Sequence, residues 1–317
     1  MMSNLIKADL FKETKKRGFK VILFMIVFVS FISVLILNKV YKVKEDEFIR
    51  YDLYTKEEYK TINKYGNYEK YKKSYKSYKQ IVNNGDKINV NKSKVINILE
   101  YKNNFLYFIG VIVVFFSFNS LSYDYNKGTL KYIVLNKNGR NKLLLSKILS
   151  QIILSLMLIG LFSISYLLFN ILKFNVNLLN YYKYIYIFTK FIKLPYLLYY
   201  FLSSFVFIFP YIFIIITTYL LTIVFKGNTI SLVINNLIYL FSLIISQFLF
   251  ASGFSLVKFT FMPYLDFTYL NNFVDRSVNN LIFNTNICYE TSILFLIIYS
   301  FIFLLIELLI FKNRDIQ

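Results

Sequence analysis

An all-α membrane fold with six transmembrane helices is what this sequence predicts, and three observations carry the prediction. The chain is 57% hydrophobic and 20% aromatic with only 17% charged residues, where soluble domains carry about a quarter charged. Its apolar residues stand in long uncharged blocks rather than at the period of a half-buried helix or strand. A block of about 20 such residues crosses the roughly 30 Å hydrocarbon core of a bilayer as a helix. The polar stretches between blocks differ in their basic content, which is the signal that orients membrane helices.

Residues 1–20 form a basic segment mixed with Leu5, Ile6, Leu10 and Phe11. This composition predicts a short helix lying on a membrane surface, held partly by attraction of Lys to anionic lipid. Span one follows at 21–38, with VILFMIVFVSFISVLIL free of charge. It reads as an uncleaved anchor: the run is long for a signal peptide and Leu37-Asn38-Lys39-Val40 offers no small-x-small cleavage site. A polar loop occupies 39–102. Within it Tyr65, Tyr68, Tyr71, Tyr75 and Tyr78 recur three and four apart, the spacing of an amphipathic helix with an aromatic stripe. Such a stripe anchors at the membrane interface, binds a substrate or packs on a second copy. Gly66 and Asn83-Asn84-Gly85-Asp86 break the segment into pieces.

Span two is 103–123, and the basic segment 124–147 leads into span three at 148–172. A loop at 173–193 precedes span four, 194–225. That run is longer than one straight crossing requires, and Pro210 in its middle predicts a kink, with a functional gate as the alternative. Lys226-Gly227-Asn228 makes a tight polar turn, so spans four and five (227–257) form a helical hairpin. Asn235 and Asn236 lie in span five. Buried amides in spans bridge helices; lining a substrate path is the alternative, and with Pro210 they are the candidate translocation residues. A loop at 258–290 leads to span six, 291–311, and a tail, 312–317. Glu307, in span six, is expected to snorkel or to pair with Lys312, with a relay role as the alternative.

Six spans put both termini on one side. That side collects six Lys/Arg in the N-terminal tail, six in 124–147, one at the 226 turn and two in the C-terminal tail, against four and two in the loops 173–193 and 258–290. The asymmetry predicts cytoplasmic termini, and hence an extracytoplasmic 39–102 loop. That loop carries sixteen basic and nine acidic residues but exceeds the length over which loop charge orients a chain.

Much chemistry is excluded by what the chain lacks. It has no His and one Cys, Cys288, which removes Ser-His triads, His-ligated metal and intramolecular disulfides. Cys288 reads as a small apolar residue. No Walker phosphate loop or dinucleotide fingerprint is present. The net charge of +20 comes mostly from Lys, with five Arg among 37 basic residues, whereas nucleic-acid binders cluster Arg on one face; no nucleic acid is expected as a partner. Spans one to five contain no ionisable Asp, Glu, Lys, Arg or His, so ion-coupled transport lacks its usual residues. Any driving energy therefore has to come from another subunit.

The layout, together with the stretch 122–147, resembles permease subunits of ABC transporters of the exporter-like ABC-2 type. In that family a surface helix leads into span one. A segment after span two then carries an acidic residue, Gly-Thr-Leu, a Pro-containing turn ending in Arg, and Lys entering span three. The matching positions are Asp124, Gly128-Thr129-Leu130, Arg140 and Lys147. Asp124 stands where Glu is commoner, and the Pro is replaced at about Lys137. The large first loop is similar to the branch with an extracytoplasmic insertion. What the resemblance implies is a coupling segment, built from Asp124, Gly128, Thr129, Leu130, Arg140 and Lys147, docked on a separate ATPase subunit that holds ATP and Mg. The chain itself would carry no cofactor and no catalytic residue. It would work in the cell membrane as a homodimer or with a related permease, moving a hydrophobic or amphipathic cargo (lipid-like, peptide or antimicrobial) outward. The other class the sequence allows is a non-transporting immunity or sensor protein acting through residues 39–102.

Overall fold

A computed structural model of the chain describes residues 2–43, 99, 101–127, 137–174, 182–187, 190–252, 255–265, 267 and 289–313. Helix α1 (Met2–Lys15) bends at Lys16 into α2 (Arg17–Val43), where short i to i−3 bonds replace the regular ladder. Next come α3 (Lys102–Asn126) and α4 (Lys137–Phe174), the longest helix at 38 residues. A β-hairpin of β1 (Tyr182–Ile187) and β2 (Lys190–Pro195) leads to α5 (Tyr196–Phe205), α6 (Ile208–Val224) and α7 (Ile230–Ala251). Two 3-10 turns, Ser255–Phe259 and Met262–Tyr264, precede α8 (Tyr289–Asn313).

Among the described residues five stretches are long and apolar enough to cross a bilayer: Arg17–Leu37, Lys102–Asn126, Gly139–Phe174, Tyr196–Val224 and Thr291–Asn313. The chain is a multi-pass, almost entirely helical membrane protein. Outward faces agree: Phe24, Phe28 and Phe31 on α2, and Leu294, Ile297, Phe301, Leu305 and Leu309 on α8, are all exposed. Soluble monomers rarely expose contiguous apolar surface beyond a few hundred Å², whereas lipid takes such stripes at no cost.

The helices pack around α6, which touches α3, α4, α7 and α8, while α4 carries α1 and α2 on another side. Interior tyrosines are numerous, and the hydroxyls of Tyr107, Tyr200, Tyr211 and Tyr239 end on backbone carbonyls. Tyr200 donates to the Ser163 carbonyl at 2.8 Å, and Tyr211 donates to that of Leu106. Tyr107 and Tyr239 exchange hydrogen bonds, each hydroxyl on the other's carbonyl at 2.7 Å, with ring centroids 4.6 Å apart. Gly110 makes room for this pair, since a Cβ there would meet the Tyr239 hydroxyl at 2.3 Å.

Three local differences from the sequence reading have physical causes. Tyr182–Ile187 and Lys190–Pro195, expected as the 173–193 loop and the start of span four, form an antiparallel pair with Tyr182 opposite Pro195 and Ile187 opposite Lys190. Their aromatic and β-branched residues suit a pleated surface, and the search for long apolar runs passes over period-two segments. The fourth run is broken into α5 and α6 at Val206-Phe207. Pro210 has no N–H for the Val206 carbonyl and its ring excludes that carbonyl from the i−4 position; Phe209 N–H bonds it instead at 3.2 Å. The start of the expected 258–290 loop folds back onto the bundle. Tyr264, Leu265 and Phe267 are buried there, with Tyr264 stacked on Phe295 and Phe267 edge-on to Phe207.

Candidate functional site

The end of the bundle that carries both termini holds a cluster of charged side chains. It starts from α1, where Asp9, Lys12, Glu13 and Lys16 recur at helical spacing and so share a face. That face lies against α4. Near the end of α3 stands Asp124 and near the start of α4 stands Lys147, both almost fully buried. Lys147 Nζ lies 2.6 Å from Asp124 Oδ2 and 3.6 Å from Asp9 Oδ1. It also donates to the Ser120 carbonyl at 3.1 Å. The second Asp124 oxygen takes Lys12 Nζ at 2.9 Å. Ser146 donates to Asp9 at 3.5 Å.

Two carboxylates and two ammonium groups thus neutralise each other across three helices. The charge-assisted bonds are short and each buried charge has a partner, the condition under which ions persist away from water. Beside the cluster, Lys16 pairs with buried Glu13 at 2.7 Å. The Tyr123 ring is exposed toward three cations, with Lys12, Lys127 and Lys16 at 4.5, 4.6 and 5.6 Å from its centroid. Removing Lys147 would leave Asp124 buried with Lys12, while Lys12, Lys16 and Asp9 are partly exposed to solvent.

The α6–α7 turn closes the same end. Lys226 and Gly227 adopt positive φ, 53° and 77°, and the Gly227 N–H returns to the Thr222 carbonyl at 2.9 Å, the 6→1 bond of a Schellman helix end. Ser122 donates to the Gly227 carbonyl at 2.7 Å, and a Cβ on Gly227 would press the Tyr125 Cβ at 2.9 Å. Only glycine meets both the conformation and the space. Arg140, near the start of α4, donates to the Lys312 carbonyl at 3.1 Å near the end of α8. A cation at a helix C-terminus satisfies orphan carbonyls and opposes the macrodipole.

Of the residues singled out in the coupling segment, Asp124 and Lys147 therefore meet directly, while Arg140 lies on the same helix as Lys147 and reaches α8. Gly128, Thr129 and Leu130 lie outside the described residues, as do the tyrosine stripe of the first loop and Cys288. Residues 137–147 continue without interruption into the apolar part of α4, so Arg140 and Lys147 share one rod with the third apolar run. Asn235 is buried and joins α7 to α6: its amide donates to Thr218, and its oxygen accepts from Thr217 at 3.0 Å. Asn236 donates to the Leu232 carbonyl of its own helix at 3.1 Å. Pro210 is buried at the α5–α6 break.

Three features escaped the sequence reading. Asp9 and Lys12 complete the charge cluster, and the four-residue charge pattern of α1 was the signal for them. Lys102, assigned to the first loop, is buried in α3. Its ammonium donates to the Tyr200 carbonyl and to Ser203 and Ser204 at 2.9 and 2.7 Å, and lies over the Tyr200 ring. A lone Lys at the margin of an apolar run carried no sign of this burial. Glu307 neither snorkels nor pairs with Lys312. It is fully buried, because its side chain faces the bundle while Lys312 is exposed beyond it.

Among the described residues no group of His, Cys, Asp and Glu could hold a metal ion. The arrangement fixes the mutual position of α1, α3 and α4. No curated protein matches the chain. The model of a family described as "Protein of unknown function (DUF2705)" matches residues 75–317, and the chain belongs to that family.

Proposed function

We propose that the chain is the membrane-spanning permease subunit of an ATP-driven exporter, with α7 as the fifth of six spans and the charged end in the cytoplasm. The observation that carries the reading is the buried pairing of Lys147 with Asp124, tied to α1 through Lys12 and Asp9. These pairs brace both ends of residues 128–136, so a push on that segment reaches α3, α4 and α1 together rather than being lost in a loose loop. The segment docks on a separate ATPase subunit, which supplies ATP hydrolysis. Two permease chains, identical or related, enclose the path for a hydrophobic or amphipathic cargo.

The test is purification of the tagged chain from native membranes in mild detergent. A co-purifying ATPase is expected, with hydrolysis that depends on the permease. Gly128→Pro or Arg140→Glu should lower that dependence about tenfold or more while leaving membrane insertion normal, a loss of at least 1.4 kcal/mol in coupling. Retrieval of no ATPase, under conditions that preserve a known ABC complex, would move the assignment to a non-transporting immunity or sensor protein. In that case deletions within residues 39–102 abolish function and the two point variants do not.

A further inference from the structure

At the basic end Asp9 and Asp124 are paired with Lys12 and Lys147, and Glu13 with Lys16. One acid is left over. Glu307 on α8 is 0% exposed, and neither of its carboxylate oxygens has a hydrogen-bond partner. It lies five residues before Lys312, whose carbonyl is held by Arg140, and so about 7.5 Å inside that level at the 1.5 Å helical rise.

Two further polar side chains buried on helices that pack against α8 also lack hydrogen-bond partners among the described residues. Tyr219, on the α6 helix that packs along α8, is 0% exposed. Its hydroxyl faces Ser120 without closing a well-formed hydrogen bond and lies within electrostatic reach of Glu307, Asp9 and Glu13. Gln151, one turn beyond Lys147 on α4, is 1% exposed with neither amide atom bonded. Helices α4, α6 and α8 pack against one another pairwise.

Bare ionised carboxylates do not persist in such a place, because desolvation costs several kcal/mol or more. Ordinary structural acids acquire a cation, as Asp124 does. Of the cations on α4, Lys147 is held by Asp124 and Asp9, Arg140 by the Lys312 carbonyl, and Lys142 and Lys173 are exposed. Tyr264, from the 3-10 turn that also touches α8, stacks on Phe295 toward the opposite end. What remains among the described residues is a carboxyl without a hydrogen-bond partner, on a helix packed against the one that carries Tyr219.

We propose that Glu307 and Tyr219 form a buried binding site for a single positive charge, either a proton or a small monovalent cation such as Na⁺ or methylammonium. The site stands independently of the permease reading, since it requires only that α8 be buried in the bundle. Binding and release there would be linked to any movement of α8 against α4 and α6, because separating these helices admits water and lets the acid ionise.

A hydrophobic carbodiimide tests this on the full chain in its membranes, because it adds only to the protonated, uncomplexed carboxyl. Peptide mass mapping is expected to find the adduct on Glu307 and none in Glu307→Gln, which is nearly isosteric and should insert normally. Labelling should fall as pH rises. If a cation occupies the site, labelling at fixed pH should drop about tenfold with Na⁺ or methylammonium at roughly ten times its dissociation constant, and whichever protects identifies the source. Protection by neither, with the pH dependence intact, assigns the proton alone. Tyr219→Phe should shift the labelling midpoint or abolish the protection. Absence of an adduct at every pH overturns the site, as does labelling indifferent to both pH and cations. An unchanged profile in Tyr219→Phe overturns the role of Tyr219.

Discussion

Lys147 is the residue on which the charged end turns, because its ammonium lies within bonding distance of Asp124, Asp9 and the Ser120 carbonyl together. Removing it alone leaves Asp124 buried with half of its compensation. Lys147→Met should therefore destabilise the protein by about 3–5 kcal/mol, read as lowered thermal stability in detergent. Lys12 and Asp9 are partly exposed and can turn to water, so Lys147→Met combined with Asp124→Leu should recover most of that loss. A double variant as unstable as the sum of the singles would show that the two side chains do not interact. Gly110 makes a second residue-scale prediction. An alanine methyl there would overlap the Tyr239 ring, pushing apart the Tyr107–Tyr239 exchange at a cost of about 1–3 kcal/mol. Gly110→Ala combined with Tyr239→Ala should be more stable than the single alanine substitution predicts by addition. The charges of this cluster were legible singly in the sequence, but their meeting was not. Asp9 and Asp124 are 115 positions apart, and nothing local to either announces the other.

Elements were legible to the extent that a single period or a single composition defines them. The apolar runs gave α2, α3 and α8 within a few residues and the apolar part of α4, because the bilayer demands their length and lack of charge, but α4 itself begins at Lys137, eleven residues before the expected span. The surface helix α1 emerged from its mixed basic and apolar composition. The β-hairpin did not, since its residues look like any interfacial aromatic stretch until the strands pair. Nor did burial of Tyr264 and Phe267, which depends on the groove that α5 and α8 leave open. For Pro210 the sequence indicated a kink, and the structure puts the break one turn upstream, where the absent N–H is felt. Pro210→Ala restores a donor for the Val206 carbonyl and should fuse α5 with α6. The expected result is a gain in thermal stability of up to about 3 kcal/mol and a changed distance between spin labels on α5 and α7. An unaltered distance would place the cause of the break in the packing of Phe207 against Phe267 instead.

At the scale of the molecule the question is which way the bundle faces. Helix α1, the α3–α4 junction, the α6–α7 turn and the end of α8 meet at one end, through Lys147–Asp9, Ser122–Gly227 and Arg140–Lys312 contacts. Orientation of any one of these elements therefore orients the others. The basic residues favour the cytoplasm for this end, since Lys and Arg near span ends are retained there. A single cysteine, Cys288, makes the test direct: Cys288→Ser gives a background into which one thiol can be placed at a time. Ser74→Cys, within the long first loop, should react with an impermeant maleimide applied to intact cells. Lys142→Cys, on the exposed side of α4 at the charged end, should react only after the membrane is opened. The reverse pattern would put the charged end outside, out of reach of any cytoplasmic ATPase. It would end the permease proposal while leaving the Glu307 site standing, because burial of that acid depends on the packing of α4, α6 and α8 and not on the direction in which they point.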